Sequence, residues 1–305
     1  MNRSYSVTTI VLLLALLVAT VAQARSYDDV VASGYLKVAV YDNYPPYSFM
    51  QQGEPRGVDV EIAKALAAGL GVRLELSWMI PDESLDDDLR NYIWKGPVLE
   101  READATMLKR PVADVMMRVP YDREFAYKVD PDGRVMNELV HFFGPYQREQ
   151  WVLGYHTERM DPFENLAVFQ YDRVGVEIDS LPDLYLSGAF RGSLRENVVH
   201  FNRFSEAFDA MIDGQVSAVM GQRAEVEWGM RLSSKVASLS VPLPNLYKPR
   251  WDIGMAVREN YRQLAYALGD TVERLVLEGD MAALFDRYGL VFEAPDYYLQ
   301  AGQRQ

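Results

Sequence analysis

Between residues 113 and 125 the chain reads ADVMMRVPYDREF, a short apolar run followed by Arg118, Pro120, Tyr121, Asp122, Arg123 and Glu124. Two guanidinium groups this close can hold a carboxylate or phosphate through paired N–H donors, provided that Asp122 and Glu124 do not neutralise them first. Pro120 brings no amide hydrogen to such a site. The other polar candidates are Asp179 and Ser180 of VGVEIDSL, Gln222 of SAVMGQ, and Tyr44 and Tyr47 of the aromatic turn NYPPYSF. A carboxylate at Asp179 repels anions, and Ser180 offers either a ligand hydroxyl or a plain helix N-cap. The Gln222 amide can bond an ammonium without pairing its charge. The tyrosine rings either stack on a ligand or pack beneath a loop.

Catalytic chemistry finds less to work with. There is no G-x-S-x-G, no HExxH, no glycine-rich phosphate loop and no cysteine. An elimination with Asp42 or Asp179 as general base is the enzymatic alternative, but the expectation is a non-enzyme without a cofactor. His141, His156 and His200 lack metal spacing. The acidic run Asp82, Glu83, Asp86, Asp87, Asp88 offers oxygens to a hard cation but lacks the glycine and alternate spacing of an EF-hand, so a solvated helix start is the stronger reading. No metal site is expected.

The elements that must position these groups alternate. Leu36 to Val40 reads as a strand, stopped by Pro45 and Pro46; Ile62, Leu66 and Leu70 form one face of a helix; Val72 to Trp78 is a second strand. A strand, helix, strand start calls for a parallel sheet. Ile80 to Ala113 reads as an irregular insertion with one short helix, and ADVMM as a buried strand. ELVHFFGPY is a strand expected to end at Gly144-Pro145, with WVLGYHT a separate one. Strands at RVGVEI, QVSAVMG and IGMAVREN then alternate with helices, so the fold class is α/β.

The first residues, MNRSYSVTTIVLLLALLVATVAQA, carry Arg3, an apolar run from Ile10 to Val21 and a small-x-small exit, which together read as a signal peptide over residues 1–24. The apolar run is shorter than the roughly 18 to 20 residues that span a bilayer, so no membrane insertion is expected after cleavage. Export from the cytoplasm follows. With 44 Asp and Glu against 31 Lys and Arg in 305 residues, the formal charge of −13 argues against a nucleic-acid partner.

Five stretches together resemble the family 3 bacterial solute-binding proteins, periplasmic receptors for ABC permeases: NYPPYSF, GVDVEIAKALAAGL, ADVMM, FFGPY and EGDMAALFDRYGL, in that order. The resemblance implies a two-lobed type II periplasmic-binding-protein fold, each lobe a mixed, mostly parallel sheet flanked by helices, with two hinge crossings. Residues 25–147 and 250–295 would form one lobe, 148–249 the other, and 296–305 a C-terminal tail. The ligand would lie between them, against Tyr44, Tyr47, Arg118, Tyr121, Arg123, Asp179, Ser180 and Gln222. Members that bind α-amino acids place a carboxylate-holding Arg about twelve positions after Asp114, where this chain has Ala126. They place an ammonium-holding Asp where it has Gln222. The resemblance therefore implies a small polar ligand other than a standard α-amino acid. R-V-P-Y together with DLRNYIWKG also resembles the MxaJ/XoxJ-like branch, whose members accompany periplasmic quinoprotein (methanol) dehydrogenases. That branch implies docking on the enzyme through the insertion, with no required ligand.

Overall fold

A computed structural model describes residues 24–96 and 112–301. The expected signal peptide, all but its last residue, and residues 97–111 of the insertion lie outside the described residues.

The chain enters through α1 (Tyr27–Ser33), whose Ser26 and Asp29 form a reciprocal capping box, and Gly34 turns it at φ 73° into β1 (Tyr35–Tyr41). A hairpin of β2 (Phe49–Gln51) and β3 (Glu54–Arg56) leads to α2 (Val58–Gly69) and β4 (Arg73–Met79). Only glycine fits at position 57: its φ is 118°, and a Cβ would stand 2.1 Å from the carbonyl oxygen of Tyr47. That close approach seats the aromatic turn on the start of α2. Next come α3 (Leu85–Leu89), running into a π-turn over Arg90–Trp94, then β5 (Val115–Pro120) and α4 (Arg123–Ala126). β1 pairs in parallel with β4 on one side and β5 on the other. This is the parallel sheet that the strand, helix, strand order calls for.

The long strand β6 (Val140–His156) runs through Gly144-Pro145, where a strand end is expected from the sequence. Pro145 has no N–H to give, but it lies where the pairing with the neighbouring strand shifts register, between Ile253 and Met255. Gly144 takes φ 55° there. A proline at a bulge interrupts one rung and leaves the ladder intact. The stretches FFGPY and WVLGYHT are therefore one strand.

Beyond β6 follow β7 (Val174–Glu177), α5 (Leu181–Gly192, kinked at Ala189 to Arg191), β8 (Val198–Phe201), α6 (Phe204–Ile212), β9 (Ala218–Gln222), α7 (Arg223–Met230) and β10 (Val236–Leu239). The chain returns through β11 (Arg250–Arg258) to α8 (Arg262–Leu277), α9 (Asp280–Arg287) and α10 (Asp296–Ala301). The sheet order is β4-β1-β5-β11-β6-β9-β7-β8, with β10 also on β6. β6 is thus the strand common to two lobes: residues 140–150 pair with β11, and residues 151–156 pair with β9 and β10.

Each lobe buries apolar side chains on both faces of its sheet. In the first, Leu36, Val38, Ile62, Leu66, Leu264, Leu268 and Phe285 pack on one face, and Met79, Leu89, Ile93, Met116 and Val119 on the other. In the second, Val174, Val176, Leu186 and Met220 oppose Phe208, Met211, Val219 and Val226. Residues 296–301, expected as a tail, form a helix that sends Tyr298 into the first lobe's core.

Candidate functional site

The C-terminal end of β5 meets the second lobe through one side chain. Arg118 has φ 61°, a left-handed conformation that is unusual for a long side chain, at a bulge of β5 where its pairing with β11 shifts register between Gly254 and Ala256. Its guanidinium carbon stands 3.3 Å from the centre of the Tyr47 ring and 5.5 Å from that of Tyr44. Arg118 Nη2 donates to Gln222 Oε1 at 3.1 Å, and Gln222 Nε2 donates to the Tyr44 hydroxyl at 2.8 Å. Strand end, aromatic turn and second lobe therefore close one small circuit. Nη1 of Arg118 is buried without a hydrogen-bond partner.

Carboxylates surround this cation. Glu149, on β6, is fully buried and accepts from the Tyr47 hydroxyl (2.7 Å), Gln147 Nε2 (2.9 Å), the Gln150 amide (2.9 Å) and the Arg223 amide (3.1 Å). Asp59, in the first turn of α2, is fully buried and accepts from the Tyr146 hydroxyl at 2.8 Å, while its second oxygen has no partner. Burial pushes Asp59 up to about 6, although Arg118 and the Tyr146 hydroxyl pull the other way. Glu225, in the first turn of α7, is pushed up to about 8, first by burial and then by Glu177 and Glu149, with Arg118 opposing. Burial works against the charge of Arg118, but its surroundings, Asp59 among them, outweigh that and hold it firmly protonated.

The lobes are also riveted where the strands cross. Arg148 binds Asp252 through Nε (2.9 Å) and Nη2 (3.2 Å), and Asp296 through Nη1 (2.6 Å). Arg223 joins Glu293 at 2.9 Å and the Arg148 carbonyl at 2.7 Å.

Of the eight residues singled out in the sequence, four converge here: Tyr44, Tyr47, Arg118 and Gln222. The other four lie elsewhere. Tyr121 packs edge-on against Tyr297 at 6.3 Å. Arg123 is exposed at the start of α4. Asp179 is exposed at φ 60°. Ser180 caps α5, accepting from the Asp183 amide at 3.3 Å and donating to the Glu177 carbonyl at 2.6 Å. Asp122 pairs with Lys248 at 2.7 Å rather than with either arginine. Glu149 and Glu225 escaped the sequence reading, and Asp59 reads there only as an acid suited to a helix start, although acids flanked by valines in GVDVEI and inside a strand through YQREQW carry a signal. An acid within an apolar stretch is either a surface residue or a buried, partnered one.

The acidic run is engaged internally. Asp88 accepts from the Tyr41 hydroxyl (2.7 Å) and the Asp82 amide (2.8 Å), Asp86 from Lys128 (2.8 Å) and Asn137 (2.9 Å), and Asp87 pairs with Arg90 (2.5 Å). Among the described residues no group of three His, Asp or Glu side chains could hold a metal ion, and no helix is long and apolar enough to cross a membrane. A cavity of about 260 Å³ lies beside the junction, lined by residues that include Phe49, Arg56, Trp228, Arg231 and Arg287; none of the four converging residues lines it.

Two lobes, each a mixed parallel and antiparallel sheet clothed by helices, joined by β6 and β11 and meeting at a polar circuit, define the type II periplasmic-binding-protein fold. Residues 36–91 match the model of bacterial extracellular solute-binding proteins, family 3. Among solved structures, an ancestral cationic amino acid solute-binding protein is similar at a TM-score of 0.65 and 18% identity, over 86% of this chain and 99% of that one. An amino acid ABC transporter substrate-binding protein from Streptococcus pneumoniae bound to L-arginine is similar at 0.61 and 18%, over 88% and 100%. A further structure of an ancestral amino acid-binding protein, described as a precursor of cyclohexadienyl dehydratase, is similar at 0.55 and 18%, over 86% and 98%. No curated protein matches the sequence.

Proposed function

We propose that this protein is a periplasmic, non-catalytic solute-binding protein of the family 3 kind, serving an ABC permease, in which the meeting of the two lobes is the functional event. The observation that carries this is the Arg118 circuit, which links a strand end of the first lobe to Gln222 of the second at the place where such a fold takes a ligand. Lobe closure has an energetic consequence only when groups on both sides are bonded in the closed state. The family match over residues 36–91 and the fold support the reading. Lobe boundaries at 147–148 and 249–250 suit the crossings of β6 and β11.

The ligand is a small polar solute other than a standard α-amino acid. One of the similar structures is bound to L-arginine. In this chain a guanidinium already rests on Tyr47, and a second cation beside it would meet like-charge repulsion in a desolvated space. Calorimetry with the common L-amino acids should give no heat at micromolar concentration; micromolar binding of any of them overturns the exclusion. A thermal-shift screen of polar solutes then tests the binding role, since a ligand at 100 times its Kd adds about 2.7 kcal/mol of stability. Failure of every solute, together with unimpaired uptake in a strain lacking the protein, would sink it. The dehydrogenase-accessory alternative rests on the R-V-P-Y and DLRNYIWKG stretches alone and draws no support from the similarities found.

A further inference from the structure

We infer that Arg118 is a tethered substitute for a ligand: its guanidinium occupies the ring-lined cation position between the lobes, so the chain itself holds the cleft shut and bars solutes that bear a guanidinium. This deepens the binding-protein reading and rests on it for the identity of the cleft.

Three observations carry it. The first is contact: at 3.3 Å from the Tyr47 centroid the guanidinium lies at stacking distance, and the side chain that accepts from it, Gln222, belongs to the other lobe. A free guanidinium solute on the same ring would make the same two interactions. The second is backbone: Arg118 adopts φ 61° at a bulge, where the pairing of β5 with β11 shifts register between Gly254 and Ala256, and such a bulge re-aims the side chain it carries. Such a conformation persists at a long side chain only where the surroundings fix it. The third is charge. Buried Asp59 from α2 and buried Glu149 from β6 lie one hydroxyl away from the Arg118 surroundings, Asp59 bonded by Tyr146 at 2.8 Å and Glu149 by Tyr47, the ring on which Arg118 rests, at 2.7 Å. Two buried acids beside the stacked ring make a place for a positive group, and the chain supplies it.

Ion pairs with Asp122 or Glu124 would be the ordinary use of an arginine in this stretch. Lys248 takes those two carboxylates, at 2.7 and 3.5 Å, and leaves Arg118 to the cleft.

The test uses wild type, Arg118→Ala, Arg118→Lys and Gln222→Ala, with methylguanidinium chloride as probe and sodium chloride at equal ionic strength as control. Small-angle scattering and thermal midpoints are the readouts. Wild type should keep one radius of gyration with and without millimolar methylguanidinium or L-arginine, and its midpoint should follow the salt control. Arg118→Ala should be more open and should regain about 3 °C or more of midpoint with methylguanidinium at a concentration well above its Kd. Gln222→Ala keeps the stack but loses the inter-lobe bond, and should open without being rescued. Arg118→Lys keeps charge without a planar face and should also be more open than wild type, which serves as the decisive comparison should the alanine variant fail to fold. Lys or Gln222→Ala variants as compact as wild type, or an alanine variant indifferent to methylguanidinium, overturn the inference. Wild type that binds L-arginine overturns it too, while leaving the uptake reading standing. Wild type that binds no solute, beside a rescued alanine variant, supports the tether and removes uptake instead.

Discussion

Glu225 offers a quantitative check on the electrostatics of the junction. Its carboxyl is pushed up to about 8, from an ordinary 4.5, by burial and by Glu177 and Glu149. Between those two pH values the folded chain keeps a proton that the unfolded chain releases, so stability falls as pH rises through the window. The full gap is worth about 5 kcal/mol at most. Glu225 retains partial solvent contact, and screening reduces this to roughly 2 kcal/mol. Glu225→Gln removes the titration and keeps an oxygen to accept from the Gln222 amide, as Oε2 does at 3.3 Å. Urea unfolding of both proteins at pH 5.5 and pH 8 should show the variant gaining about 2 kcal/mol on wild type between the two conditions. Stabilities that differ by the same amount at both pH values would refute the argument, because a group titrating freely in both states contributes no slope.

Tyr47→Phe keeps the ring under Arg118 but takes one of four donors from buried Glu149; a loss of about 1 to 3 kcal/mol in urea unfolding is expected. Gly57→Ala would place a methyl 2.1 Å from the Tyr47 carbonyl oxygen at φ 118°, so the aromatic turn must move and the thermal midpoint should fall sharply, by more than about 3 kcal/mol in equivalent stability. Arg123→Ala, at an exposed position, should change urea stability by less than about 0.5 kcal/mol, which distinguishes it from Arg118 five residues back in sequence.

The α/β class, the parallel start and the helices at residues 58–69 and 262–287 were legible because each pairs a clear apolar period with a glycine or proline stop. The continuity of β6 was not, because Gly-Pro normally ends a strand and only the partner strand's register shift shows how it is carried through. For the site, Arg118 and Gln222 could be found from their places at strand ends. What those places could not reveal is that the two side chains bond each other, since φ at Arg118 decides the direction and no local pattern encodes it. Asp179 and Ser180 looked equally placed; the turn at φ 60° leaves Asp179 exposed and Ser180 spent on capping. Fully buried Asp59 looked like an ordinary acid at a helix start, because its own turn reads as half polar and the covering Tyr146 is 87 residues away.

β6 and β11 cross from lobe to lobe side by side, bonded to one another over residues 147–150 and 250–253, with Arg148 clamped to Asp252 at that point. The two crossings are thus one bonded ribbon rather than two separate threads, and neither can move there without carrying the other. A parting of the halves would therefore have to bend both crossings together, at the level where Arg148 clasps Asp252.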